Sequence, residues 1–358
     1  MGLLRLVRKV ILPIAQAAIV WQLQSSTAAA FDRKAIHDSA LYSPNSPSYE
    51  SSEFQRLPEV LATSVLPSDV KISESHAPAM FRQDHASLVA LKNGQWLAVW
   101  QDERLGREKI FAQRFDSTGV MVGANQLLAV NAHMDLVEPK VAQDSVSRIY
   151  LYYRDRIRGM VFGSRLTAEL ATDIPAFLVN DTTSGASGGP FDFAVYPDGR
   201  TVVTWENYST VGSTIGLRIY DVSGGSVAGP LTVNSDGGGN AHWVPRVAVQ
   251  PGSGLLVVWE DYRNGQPDIL GRLYRGDGVP LGSEFGIVPP AASAADQYTP
   301  HVIWSDSDKY VIGWIDRRAG QEVYVQRYNP VTGMVGNNTL ASSGDTLFIN
   351  WDMNLAVT

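Results

Sequence analysis

Leu256-Val257-Val258-Trp259-Glu260-Asp261-Tyr262-Arg263 is an apolar run that closes on tryptophan and passes at once into charge. Aliphatic residues capped by an aromatic read as a buried strand, and the Asp-x-Arg behind them reads as turn chemistry. The same phrase recurs as Trp-Leu-Ala-Val-Trp-Gln-Asp-Glu-Arg (96–104), Tyr-Leu-Tyr-Tyr-Arg-Asp (150–155), Val-Val-Thr-Trp-Glu-Asn (202–207) and Val-Ile-Gly-Trp-Ile-Asp-Arg-Arg (311–318). The anchors Trp100, Tyr153, Trp205, Trp259 and Trp314 are 53, 52, 54 and 55 residues apart. Upstream of the last four lies a proline that opens another strand: Pro139, Pro190, Pro245 and Pro300. Downstream of each anchor an arginine marks a third strand: Arg114, Arg165, Arg218, Arg272 and Arg327. A turn and a fourth strand follow, ending in Val130-Asn131, Val179-Asn180 or Val233-Asn234.

Each repeat thus holds four short strands, a to d. Asn93-Gly94 and Asp198-Gly199 turn a into b, and Asp277-Gly278 and Thr332-Gly333 turn c into d. A four-stranded antiparallel unit repeated in tandem at this period predicts an all-β β-propeller, one blade per repeat. The repeats fall at about 76–131, 132–180, 181–234, 235–289 and 290–342, with a partial sixth at 343–358. There Trp351 to Val357 aligns with Trp243 to Val249, the first strand of a blade. Val65 to Ser75 resembles a fourth strand, so a sixth blade could draw on both termini, or the chain could be part of a longer one.

Outside the repeats, residues 1–30 read as a secretory signal. Arg5, Arg8 and Lys9 precede an apolar stretch from Val10 to Val20, and Ala28-Ala29-Ala30 offers a cleavage site. Residues 31–64, with Ser-Pro-Asn-Ser-Pro-Ser at 43–48, read as a linker, and 65–358 as the propeller. These features point to a secreted, periplasmic or cell-surface protein with no integral membrane segment once the signal is removed. The 358 residues contain no cysteine, which excludes disulfides, thiolate nucleophiles and zinc knuckles. A net charge of −7, which grows more negative without the leader, argues against nucleic acid as a partner. No cofactor or metal is expected. Gly237-Gly238-Gly239 follows no strand–helix pattern, and His133, His242 and His301 fall at different phases of the repeat.

Phe111-Ala112-Gln113-Arg114-Phe115-Asp116-Ser117-Thr118-Gly119 and Val257 to Gly265 resemble repeats of secreted bacterial β-propeller proteins. The resemblance spans about residues 76–358 and implies the sialidase-like propeller class. The Asp box of true sialidases, Ser-x-Asp-x-Gly-x-Thr-Trp, is absent from this chain, which argues against sialidase activity.

Tight a–b and c–d turns on one face leave the long d–a loops and the Asp-x-Arg elements together on the other. Binding sites favour such loops on a rigid scaffold. The candidate ligand-binding residues there are Trp243, Tyr298 and Trp351, which share one repeat position and suit stacking on sugar rings, with Asp261, Arg263, Asp316 and Arg318. A feature repeated in nearly every blade usually serves the blade, and glycosidase chemistry needs carboxylates in unlike environments. Beyond the Asp-x-Arg motif, Glu206 and Glu260 are the acids worth testing. The reading that follows is a non-enzymatic propeller that binds a glycan, peptide or protein. The other reading is a glycan-active hydrolase or lyase with its site on the same face; acids and arginines converging at the axis would favour it.

Overall fold

The computed structural model describes residues 81–342, apart from 130, 132, 181–186, 253, 290–293 and 306–308. The expected leader, linker and partial sixth repeat, including Trp351, lie outside the described residues. The rest is all-β and carries the expected propeller architecture: five four-stranded antiparallel sheets, each a simple meander. Blade 1 is β1 (Gln83–Ala90), β2 (Trp96–Asp102), β3 (Lys109–Phe115) and β4 (Met121–Ala129). Blade 2 is β5 (Leu136–Gln143), β6 (Ile149–Asp155), β7 (Met160–Leu166) and β8 (Thr172–Leu178). Blade 3 is β9 (Ser187–Val195), β10 (Thr201–Tyr208), β11 (Ser213–Tyr220) and β12 (Ser226–Thr232). Blade 4 is β13 (His242–Gln250), β14 (Gly254–Asp261), β15 (Asp268–Arg275) and β16 (Phe285–Gly286), and blade 5 is β17 (Gln297–Ser305), β18 (Lys309–Asp316), β19 (Glu322–Asn329) and β20 (Gly333–Leu340).

The core lies between blades. Strand b of every blade is apolar on both faces, because each face meets a sheet. Tyr153, Val161 and Tyr150 to Tyr152 are buried between blades 1, 2 and 3, and Trp259 joins Tyr196, Val202 and Ile215 of blade 3 to Val257 and Tyr274 of blade 4. Trp314 packs blade 5 on Leu256 and Ile269 of blade 4. Trp100, Trp205, Trp259 and Trp314 are all fully buried. The first strands of neighbouring blades lie against one another, whereas fourth strands such as β4 and β20 are largely exposed. Strand a is therefore innermost and strand d outermost.

Strand a begins before the proline that the sequence takes as its start. A bulge lets the pairing continue through that proline, which has no N–H to offer the ladder. In blade 4, Trp243 pairs with Glu260 and Arg246 with Val258, so Val244 and Pro245 together oppose Trp259. Blades 2 and 5 shift at the same place, between Val137 and Lys140 and between Tyr298 and His301. In blades 2, 4 and 5 the residue before the proline turns left-handed: Glu138 at φ 52°, Val244 at 51° and Thr299 at 47°, with His85 at 52° in the matching place of blade 1. For β-branched residues this is a strained conformation that the surroundings must impose.

Candidate active site on the inner strands

Side chains of strand b impose the strain. Gln101 Oε1 accepts the Glu138 N–H at 3.0 Å, Glu260 Oε1 accepts the Thr299 N–H at 2.7 Å, and Glu206 Oε1 accepts the Val244 N–H. Each of these residues directly follows an anchor aromatic and reaches the bulge of the next blade. Downstream of the bulge, one position per blade faces inward. It is Ser87 opposite Val99, Lys140 opposite Tyr152, Asp192 opposite Thr204, Arg246 opposite Val258 and His301 opposite Gly313.

Blade 3 breaks the pattern. Its bulge lies one residue later, so Gly188 pairs with Asn207, and Gly189 and Pro190 oppose Glu206 instead of the tryptophan. That displacement brings Asp192, and not Phe191, into the inward position. It also sets Gly189 directly on Glu206: a Cβ at Gly189 would lie 2.5 Å from Glu206 Oε2 and 2.8 Å from the Tyr208 hydroxyl. Glycine is required by this close approach.

The result is a charged cluster shared by blades 2, 3 and 4. Lys140 Nζ donates to Asp192 Oδ1 at 2.9 Å, and Asp192 Oδ2 accepts the Val247 N–H at 3.0 Å. Arg154 forks onto Glu138 at 2.9 and 2.5 Å. Burial pushes Asp192 up, but the charges of Lys140 and Arg246 and the Lys140 and Val247 hydrogen bonds outweigh it and hold the carboxyl below its usual range. Burial likewise raises Glu138, and the Arg154 fork, with His85 and Lys140, more than reverses it. Glu206 behaves oppositely. Its burial dominates the Tyr208 hydroxyl and Val244 N–H that favour the anion, and the carboxyl is pushed up to about 8. Glu260, in the same position of blade 4, accepts from the Tyr262 hydroxyl at 3.2 Å. Near neutral pH the cluster thus holds two ionised carboxylates beside one that keeps its proton.

The loop-face candidates are placed differently. Asp261 accepts the Trp259 indole N–H at 2.9 Å, the Arg263 backbone N–H at 3.1 Å and the Arg263 guanidinium at 2.7 Å. Asp316 does the same for Trp314 and Arg318, and Asp102 for Trp100 and Arg104. Each acid locks its own b–c turn and pins the core indole. Trp243 is buried, its ring 4.3 Å from that of Tyr262. Tyr298 is half-buried, donates to Asp296 at 2.6 Å and lies under Arg317, 4.9 Å from its centroid. Sequence reasoning reached Glu206 and Glu260 but missed Lys140, Glu138, Arg154, Asp192, Arg246 and Tyr208. The signal available for them was Gly188-Gly189-Pro190, a glycine pair where other repeats carry side chains.

No protein-family model matches this chain, and no curated protein matches it. Solved structures do. An alpha-L-arabinanase of Penicillium chrysogenum, solved with arabinobiose, aligns at TM-score 0.52 and 11 % identity over 76 % of this chain and 84 % of its own. A GH93 alpha-L-arabinofuranosidase of Fusarium graminearum, also solved with arabinobiose, aligns at 0.52 and 10 % over 75 % and 84 %. A Hadza microbial sialidase aligns at 0.47 and 13 % over 74 % and 59 %. At such identities the likeness establishes the propeller fold that the chain shares with glycosidases. The expected non-enzymatic binding module is corrected by these findings. The arabinanase and arabinofuranosidase structures that share the fold are glycan-active enzymes, and the unlike carboxylates that the Asp-x-Arg ring does not supply are present on the inner strands.

Proposed function

We propose that this protein is an exported glycan-active hydrolase whose site is the inward-facing cluster of blades 2, 3 and 4. The observation that carries the reading is the contrast between Asp192, held ionised by Lys140 and Arg246, and Glu206, which keeps its proton to about pH 8. Cleavage of a glycosidic bond needs an acid for the leaving oxygen and a carboxylate for the developing positive charge or the attacking water. Asp192 supplies the carboxylate, steered by the Lys140 ammonium at 2.9 Å. Glu206 supplies the proton. Its carboxyl is closed off beneath Gly189, so the proton leaves through the Tyr208 hydroxyl beside it, itself a buried atom. Glu138, forked by Arg154, and Arg246 orient sugar hydroxyls. Tyr298 and Trp243 stand on the loop side, with Tyr298 the more exposed surface for a sugar ring. The glycosidase neighbours support a glycan as the ligand class.

The test is release of reducing ends from a panel of neutral and acidic polysaccharides, with Asp192→Asn and Glu206→Gln alongside. The wild type should cleave at least one substrate, and Asp192→Asn should lose about 100-fold or more in kcat, the scale of a missing acid–base group. Products with an unsaturated terminal sugar would assign elimination in place of hydrolysis. No cleavage across the panel, or an Asp192→Asn variant with wild-type kcat, would refute the reading.

A further inference from the structure

The cluster of blades 2, 3 and 4 does not balance in charge. Lys140, Arg154 and Arg246 stand there against the carboxylates of Glu138 and Asp192, because Glu206 keeps its proton near neutral pH. The chain as a whole carries −7, so a local excess of positive charge is not inherited from composition.

The first two cations are engaged. Lys140 Nζ donates to Asp192 Oδ1 at 2.9 Å, and Arg154 forks onto Glu138. The second Asp192 oxygen is taken by the Val247 N–H. Arg246 is left over. Its Nη1 donates to the Pro245 carbonyl at 3.1 Å, its Nε is buried without an acceptor, and it forms no ion pair among the described residues. Guanidiniums that serve the scaffold are satisfied differently: Arg104, Arg263 and Arg318 are each paired with the aspartate of their own turn. Arg218 and Arg272 also lack a carboxylate, but they belong to third strands and lie against Tyr220 and Tyr274. A partly buried guanidinium without a carboxylate destabilises the free protein, and its planar fork matches an oxyanion with two acceptor oxygens.

We infer that Arg246 is the specificity-determining residue of this site, and that the glycan it selects carries an anionic substituent, a uronate carboxylate or a sulfate ester, seated on the guanidinium fork. The inference deepens the hydrolase reading and rests on it for the place of the site. Because Lys140 already holds the Asp192 charge, an incoming anion meets Arg246 without facing a bare carboxylate. The substituent keeps its charge through the reaction, so the contact strengthens substrate and transition state alike and acts mainly on KM.

The experiment sets each charged polymer against a neutralised copy: polygalacturonate against its carboxyl-reduced form, and a sulfated galactan against its desulfated form. The wild type should cleave at least one charged polymer with kcat/KM about 10- to 100-fold above that of the copy, mostly through KM, and added salt should narrow the gap. The pair that shows the preference separates carboxylate from sulfate. Arg246→Gln should erase the preference, and Arg246→Lys, which keeps the charge without the fork, should retain only part of it. The ratio is read within each variant, so a general loss of rate through Asp192 cancels. Equal kcat/KM on both members of each pair, or cleavage of the neutral copies alone, overturns the inference and leaves the hydrolase reading standing. A preference unchanged in Arg246→Gln overturns the role of Arg246; should that variant not fold, the wild-type ratios and Arg246→Lys decide. If no polymer is cleaved, titration calorimetry with oligogalacturonate and with sulfated galactan oligosaccharides separates the two readings. Binding weakened about tenfold or more by either Arg246 variant upholds the anion site and refutes the hydrolase reading alone, and no binding overturns both.

Discussion

Replacing Glu206 by glutamine should stabilise this protein, and by an amount set by pH. Glutamine keeps a side-chain oxygen to accept the Val244 N–H but has nothing to titrate. The carboxyl titrates near 4.5 when solvated and at about 8 in the fold, so folding at neutral pH obliges the side chain to take up a proton. Each pH unit in that interval costs about 1.4 kcal/mol. Because the folded value is raised, the wild type has its full stability below about pH 4.5 and loses it progressively as pH climbs through 8. The variant should match the wild type near pH 4, exceed it by roughly 3 kcal/mol at pH 7, and by about 5 kcal/mol above pH 8. Glu206 is 1 % exposed, so solvent screening removes little of this. Urea unfolding at several pH values reads the difference directly, and kcat on a cleaved substrate should fall by about 100-fold or more in the same variant. A gain that does not vary with pH, or a loss of stability at pH 7, would show that Glu206 is ionised in the fold and would remove it as the proton donor.

Three further outcomes check the geometry. Gly189→Ala drives a methyl group against Glu206 and Tyr208 and should cost about 1–3 kcal/mol as overpacking, with activity falling more than stability; a neutral melt would mean that the two side chains move aside freely. Trp259→Ala should cost about 3–5 kcal/mol, since its ring is fully buried between blades 3 and 4 and its indole N–H is tied to Asp261; an unchanged unfolding midpoint would refute that packing. Asp261→Asn should destabilise, because the Arg263 fork loses its charge partner, whereas a purely ligand-binding role would lower affinity and leave the melt intact.

Much of the fold was legible because blades share their chemistry. An apolar run ending in tryptophan is buried wherever it occurs, and Asp-x-Arg closes the same turn each time, with Asp102, Asp261 and Asp316 bound to Trp100, Trp259 and Trp314 at the same 2.9 Å. The candidate site was less legible for the same reason. Alignment on the prolines puts Phe191, an apolar residue, in phase with Lys140 and Arg246, and the inner charges look unrelated. Register decides which side chain faces inward, and a slip of one residue exchanges the two faces. The slip in blade 3 follows from where a bulge forms, a contest between backbone pairings that no pattern of apolar residues records.

That slip also locates the chemistry within an otherwise repetitive molecule. In blades 2, 4 and 5 the bulge lies opposite the anchor aromatic and its residue carries a side chain: Glu138, Val244 or Thr299. In blade 3 it lies opposite Glu206 and is filled by Gly189 and Pro190. One rearrangement has two consequences of opposite sign. It turns Asp192 inward between Lys140 and Arg246, where the anion is favoured, and it packs backbone onto the Glu206 carboxyl, where the anion is disfavoured. Two acids on one blade are driven apart in proton affinity by a single irregularity of the strand. Repeats that obey local rules make the scaffold, and the repeat that departs from them carries the proposed site.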